Sequence, residues 1–347
     1  MNLHTLRLLP LCAVLIPTLI LDGRLNAQNL TLEGQTGGFI TPTAYTTYVP
    51  KGKFFAHPVV GVHFISASKV IGNIETFSVL ESFASRAEIG YTRSVHQTGQ
   101  DTAKSASDPY GLALSNLWAY NGMNIFSAKV VALKESTGGE WMPGIAVGGL
   151  VRTGDKFVSG AIPVILGAQY GVNVLPKSYT NGDVYVAVSK TRLKLPVPFL
   201  ANVGWKATNA AIYGIGGQAT AFKGEFFGGL GIPIPLGHNL AIVPAAGATQ
   251  EPSTVKNLGP APTSFPPSSL PLAGGRPHLP TTLDYAVRFT QKDNPHFSAD
   301  FGIGQVAGMI GSAVLPTGLP APYPATVIAP VNLQARKVIG GGVSFRY

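Results

Sequence analysis

Charge is scarce in this chain, and several further absences narrow what it can be. Asp, Glu, Lys and Arg make up 12% of the residues, about half the roughly 25% usual in soluble domains. Long apolar runs are missing too: a helical membrane protein needs about 20 apolar residues per span, and no run of that length occurs. The single cysteine, Cys12, lies in an N-terminal stretch that reads as a secretory signal, so the mature chain is expected to hold no disulfide and no cysteine metal site. Basic clusters are absent. The net charge of +9 comes from Lys and Arg spread singly along the chain, which points to solvated loops and a polar interior rather than to nucleic acid.

What is present is glycine, 42 residues, and proline, 28, with a mean hydropathy of only +0.23. A membrane β-barrel dilutes its apolar residues with alternating small and polar ones and produces this intermediate hydropathy. At the N-terminus Arg7 closes a short basic region, residues 8–21 form an apolar core broken by Pro10 and Pro17, and Leu25-Asn26-Ala27 offers a cleavage point. The expected organisation is a signal peptide over 1–27 and one barrel over 28–347.

The C-terminus sets the pattern. Ile339, Gly341, Val343, Phe345 and Tyr347 fall on one side of an extended chain, and Gly340, Gly342, Ser344 and Arg346 on the other. An aromatic end of this kind resembles the closing strand of outer-membrane β-barrels, with Val343, Phe345 and Tyr347 as the signal read by the barrel-assembly machinery. The same two-sidedness recurs upstream. Leu283, Tyr285, Val287 and Phe289 oppose Asp284, Ala286, Arg288 and Thr290, and Phe297, Ala299, Phe301 and Ile303 oppose Ser298, Asp300, Gly302 and Gly304. Further strands are expected at 53–66, 72–80, 86–92, 124–134, 143–152, 184–189, 201–207, 214–222, 225–233 and 239–247. The connections at 223–224 and 235–237 are of hairpin length, which leaves no room for crossover helices and makes the sheet antiparallel.

Strand number follows from the connections. Without a segment at 162–170 there are thirteen strands, and the long connections leave strands of mixed parity. Bacterial barrels have even strand numbers and keep long loops on one side. Adding the 162–170 strand gives fourteen, with every long connection leaving an odd strand; twelve and sixteen stay open. The long loops are expected near 94–121, 248–281 and 306–336, the second being too rich in proline for a strand interior or a helix.

Polar sides that face inward would place Arg86, Glu88, Lys190, Lys206, Asp284, Arg288, Asp300 and Arg346 in the lumen, as a plug of ion pairs or as a solute-selecting constriction. Chemistry is weakly signalled. The mature histidines His57, His63, His96, His238, His278 and His296 have no neighbours at metal-ligand spacing; His57 and His63 share a strand face but stand about 20 Å apart. His296, Ser298 and Asp300 form the only local grouping of triad types, without a supporting nucleophile turn. The glycine runs at 214–217 and 340–342 lack the G-K-[ST] of a phosphate loop. The expectation is a protein that is not an enzyme and uses no cofactor or metal.

Gly34, Gly37, Pro42-Thr43-Ala44, the run from Pro143 through Gly148, the run from Val184 through Lys190, Gly204-Trp205, and Phe226-Phe227-Gly228-Gly229 leading to Ile232-Pro233-Ile234 together resemble the YjbH-like outer-membrane β-barrel proteins. The resemblance covers roughly residues 34–247. It implies a bacterial outer-membrane barrel associated with exopolysaccharide production, in contact with lipid and lipopolysaccharide and serving a polysaccharide or its export proteins. A porin-like diffusion channel is the alternative, and an outer-membrane hydrolase a third reading.

Overall fold

The computed structural model describes residues 29–66, 73–97, 122–154, 180–210, 218–237, 239–251, 281–291, 296–305, 309–316, 326–332 and 338–347. The signal segment and the expected strand at 162–170 lie outside them. Every regular element among the described residues is a strand: β1 (Val59–Ser66), β2 (Asn73–Phe83), β3 (Ala87–Gln97), β4 (Gly122–Leu133), β5 (Gly144–Gly154), β6 (Thr180–Arg192), β7 (Phe199–Ala210), β8 (Gln218–Gly231), β9 (Ile234–Gly237), β10 (Leu240–Thr249), β11 (Thr282–Gln291), β12 (Phe297–Gln305), β13 (Met309–Pro316), β14 (Thr326–Asn332) and β15 (Val338–Arg346).

Twelve of these close into a ring. β1 to β8 pair in sequence order, β8 pairs with β10, β10 with β11, β11 with β12, β12 with β15, and β15 returns to β1; every pairing is antiparallel. A closed ring leaves no strand edge with unpaired backbone groups, the condition for crossing lipid with a sheet. β9 is a short spur on β10 past the bend at Ile232-Pro233, and β13 and β14 pair only with each other, as a hairpin inside the segment expected to be a plain loop at 306–336.

The ring holds twelve strands rather than fourteen: the expected strand at 162–170 lies outside the described residues, with β5 paired directly to β6, and two other expected strands merge. The expected strands at 214–222 and 225–233 are one strand: Lys223 pairs with Thr208 and Gly224 with Ala207, so the ladder of β8 runs through the supposed turn. The parity argument survives the change. In ring order the long connections leave the third, fifth, ninth and eleventh strands, all odd. The other end carries none of these long connections; there Val59 pairs with both Leu80 and Arg346. There β2 turns into β3 through Ala84, Ser85 and Arg86; Ala84 and Ser85 have φ of 49° and 51°, and the Arg86 N–H donates to the Phe83 carbonyl at 2.9 Å.

Strand period separates the two surfaces. Val62, Phe64, Phe77, Ile89, Phe126, Val130, Val184, Val203, Phe226, Tyr285, Phe301 and Ile303 are exposed on the outside, while Ser78, Ser82, Thr92, Ser94, Ser127, Ser189, Asn202 and Thr208 are buried inside. This inverts a soluble protein, and it is the arrangement that lipid outside and polar groups inside demand.

Candidate functional site in the lumen

The lumen is filled by the chain's own residues 29–49. All of residues 29–36 are buried, polar ones included. The segment rises to a tight turn at 31–35, closed by the Thr31 carbonyl accepting from Gly34 and the Gln35 carbonyl accepting from Thr31. Gly34 has a φ of 78° and sits against Thr92 and Ser78 of the wall. A side chain there would be strained by the backbone and would meet the wall. The segment then doubles back, with Gly37 bridged to Pro42, and leaves through the short-turn end past Tyr45 and Thr47.

Ion pairs hold this plug to the wall. Arg152 of β5 is about 1% exposed and binds Glu33 of the plug through Nε and Asp183 of β6 through Nη2 at 2.7 Å. Its Nη1 also donates to Asn181 and Asp183 at 3.3 and 3.2 Å. Lower down, Lys129 of β4 pairs with Glu88 of β3 at 2.8 Å and donates to the Thr36 carbonyl and hydroxyl and to the Thr43 carbonyl at 3.0 Å. The Glu88 carboxylate accepts from the Thr36 hydroxyl at 2.7 Å. Charges withdrawn from water persist only when paired and hydrogen-bonded on their remaining sites, and both clusters meet that condition with groups from wall and plug together.

Neutral contacts complete the seal. Gln35 donates to the Tyr185 hydroxyl at 3.2 Å, Asn202 donates to the Pro42 carbonyl at 2.9 Å, and the Ala44 N–H donates to the Ser189 hydroxyl at 2.8 Å. At the short-turn mouth the Tyr45 hydroxyl donates to Glu135 at 2.8 Å and lies 2.9 Å from the Thr191 hydroxyl. Burial pushes the Tyr45 phenol above its ordinary value, and the charge on Glu135 adds to the push. Arg346 lies over the ring of Tyr48 at 5.3 Å.

Of the eight residues expected in the lumen, six face inward. Glu88 holds Lys129; Lys206 stands in register with Glu225 and lines a small crevice with Glu33 and Asp183. Arg288 pairs with Asp300 at 2.9 Å, and Asp300 also takes the amide of Asn29. Asp284 and Arg346 are buried on the inner side. Two do not face inward. Arg86 is in the β2–β3 turn, exposed, with its guanidinium on the Val131 carbonyl at 3.3 Å. Lys190 shares the outward side of β6 with Val184, Val186 and Val188, and clasps the 134–143 loop through Glu135 at 3.1 Å and the Met142 carbonyl.

The expected assembly signal points outward at the short-turn end: Val343, Phe345 and Tyr347 are exposed. His296 lies there too, with Nδ1 3.3 Å from the Arg346 carbonyl, while Ser298 is buried and the Asp300 carboxylate is engaged by Arg288 and Asn29. Among the described residues no cluster of three or more His, Cys, Asp or Glu could hold a metal. Beside the plug an open crevice remains against β7, β8, β10, β11 and β12.

A closed antiparallel ring with an apolar outside and a polar, occupied inside defines a transmembrane β-barrel of the outer-membrane type. No protein-family profile matches the chain, and no curated protein matches its sequence. Among solved structures it is similar to a KdgM porin, at 7% identity and a TM-score of 0.40, over 83% of this chain and 99% of that one. It is also similar to the beta domain of the Bordetella autotransporter BrkA, at 11% identity and a TM-score of 0.33, over 85% of this chain and all of that one. A Pseudomonas aeruginosa FadL homologue gives 7% identity and a TM-score of 0.33, over 85% and 90% of the two chains. Values this low assign no function.

Proposed function

We propose that this is a non-enzymatic barrel of the bacterial outer membrane, held shut at rest by its own residues 29–49, that assists export or surface presentation of an extracellular polysaccharide. The observation behind the resting closure is the plug, anchored through Glu33 on Arg152 and through Thr36 and Thr43 on Lys129. A passive porin needs a standing aqueous path, and here Arg152, Glu88 and Lys129 of the wall are engaged by the plug instead of by water. The polysaccharide role rests on the family resemblance of the strand motifs between residues 34 and 247. Hydrolysis at His296, Ser298 and Asp300 fits less well, because Asp300 is already committed to Arg288 and Asn29.

The porin-like reading keeps one observation in its favour, the open crevice beside the plug. Single-channel recording in planar bilayers separates the two. The intact protein is expected to be silent, and deletion of residues 29–49 from the mature chain to produce large steady conductance. Steady conductance from the intact protein, unchanged by the deletion, would make the plug irrelevant and the porin reading correct. If silence holds, polysaccharide output in a deletion strain tests the export role; unchanged output would sink it.

A further inference from the structure

The crevice beside the plug is lined by one carboxylate that takes no partner from the protein among the described residues. Asp284 of β11 is 7% exposed, lines the crevice, and lies in register with Gly247, against whose Cα its carboxylate rests. No hydrogen bond or ion pair reaches that carboxylate among the described residues. Its surroundings are otherwise settled: Asn202 donates to Pro42 and accepts from Ser189, and Asp300 takes both Arg288 and Asn29. The Asp284 side chain is largely withdrawn from bulk water on the crevice wall, and a cationic ligand there would gain a charge-assisted hydrogen bond to it.

The lining decides which ligand. Two carboxylates, Asp284 and Asp300, stand against one guanidinium, Arg288, which leaves one negative charge to neutralise. The remaining wall sets the apolar Phe39, Val243 and Ala245 beside the neutral polar side chains of Asn29, Thr41, Asn202 and Thr290. A bare metal ion needs several oxygen ligands, and among the described residues no group of three or more His, Cys, Asp or Glu offers them. A sugar would need several donors and acceptors set together, and Asn29, Asn202 and Asp300 are already paired. We infer that the crevice is a binding site for a small organic ammonium compound, its charged nitrogen on Asp284 and its apolar body along Phe39, Val243 and Ala245.

The test uses the whole mature barrel in detergent and isothermal titration calorimetry at neutral pH, with n-butylammonium as the probe and n-butanol and glucose as neutral controls. Butylammonium is expected to bind, and both controls to bind at least tenfold more weakly. Asp284→Asn keeps the shape and removes the charge, and it should weaken butylammonium by about tenfold or more. Ala245→Leu fills the crevice from the neighbouring strand and should weaken it as well with Asp284 intact; heat-modifiable migration and circular dichroism like those of the unaltered protein show that both variants still form the barrel, and undiminished binding by Ala245→Leu would overturn the inference. Butanol binding as tightly as butylammonium would reduce the site to an apolar hollow, and glucose binding more tightly would make it a sugar site; either overturns the inference. So would undiminished binding by Asp284→Asn, or no binding of butylammonium to the unaltered protein.

Discussion

Lys129 illustrates how much a single residue carries in this barrel. Its ammonium is buried and meets one carboxylate, Glu88, and three plug oxygens. Lys129→Met leaves Glu88 buried without its cation, and removing one partner of a buried pair costs about 3–5 kcal/mol. Adding Glu88→Gln should recover a good part of that loss, because the uncompensated charge is then gone. Urea midpoints in detergent for the two single variants and the double variant give the coupling; a double variant as unstable as the sum of the singles would remove Glu88 as the partner. The alternation of β4 already sets Lys129 and Ser127 apart from Phe126 and Val130, so the sequence shows that the lysine turns inward. It does not show what the lysine meets, since Thr36 is 93 residues away. Lys190 could have been placed correctly, because it follows the parity of Val184, Val186 and Val188.

At the scale of elements, the strands were legible because lipid on one side and polar groups on the other impose a period of two on each. Where the period is diluted, boundaries fail: Lys223-Gly224 looks like a turn and is the middle of β8, with Gly224 against the Trp205 indole. The plug was not legible at all. Residues 29–49 are Thr-, Gly- and Asn-containing chain without a period, and their burial comes from partners as distant as Asp300, 271 positions away. The terminal strand makes a separate prediction. Phe345 pairs with Val60 and with Phe297, and Arg346 with Val59. Deleting residues 345–347 removes the end of the strand that closes the ring, and the truncated protein is expected to accumulate unassembled in the periplasm, measured by its loss of membrane association and its protease sensitivity. Normal insertion would move the assembly signal elsewhere.

The whole molecule presents an outer surface with Phe64, Phe126, Val184, Phe226 and Phe301 each roughly half exposed or more. A belt of this kind aggregates in water unless lipid or detergent covers it. The mature protein is therefore expected in the membrane fraction, released by detergent and not by high salt or alkaline wash; recovery in the aqueous fraction would contradict a membrane-spanning barrel. The beginning of the plug adds a constraint on this cylinder. Leu30 packs with Val59 of β1 and Leu80 of β2, its N–H lies 3.4 Å from the Ser344 hydroxyl of β15, and Asn29 reaches Asp300 of β12. These contacts straddle the join between the first and last strands, like a stitch laid across a zip from within. Unzipping that join sideways into the bilayer would tear the stitch, and pulling on the chain at Asn29 would load the join. Filling the cylinder and fastening it thus draw on the same two residues, since Asn29 and Leu30 have their partners only where β12 and β15 are in place beside β1.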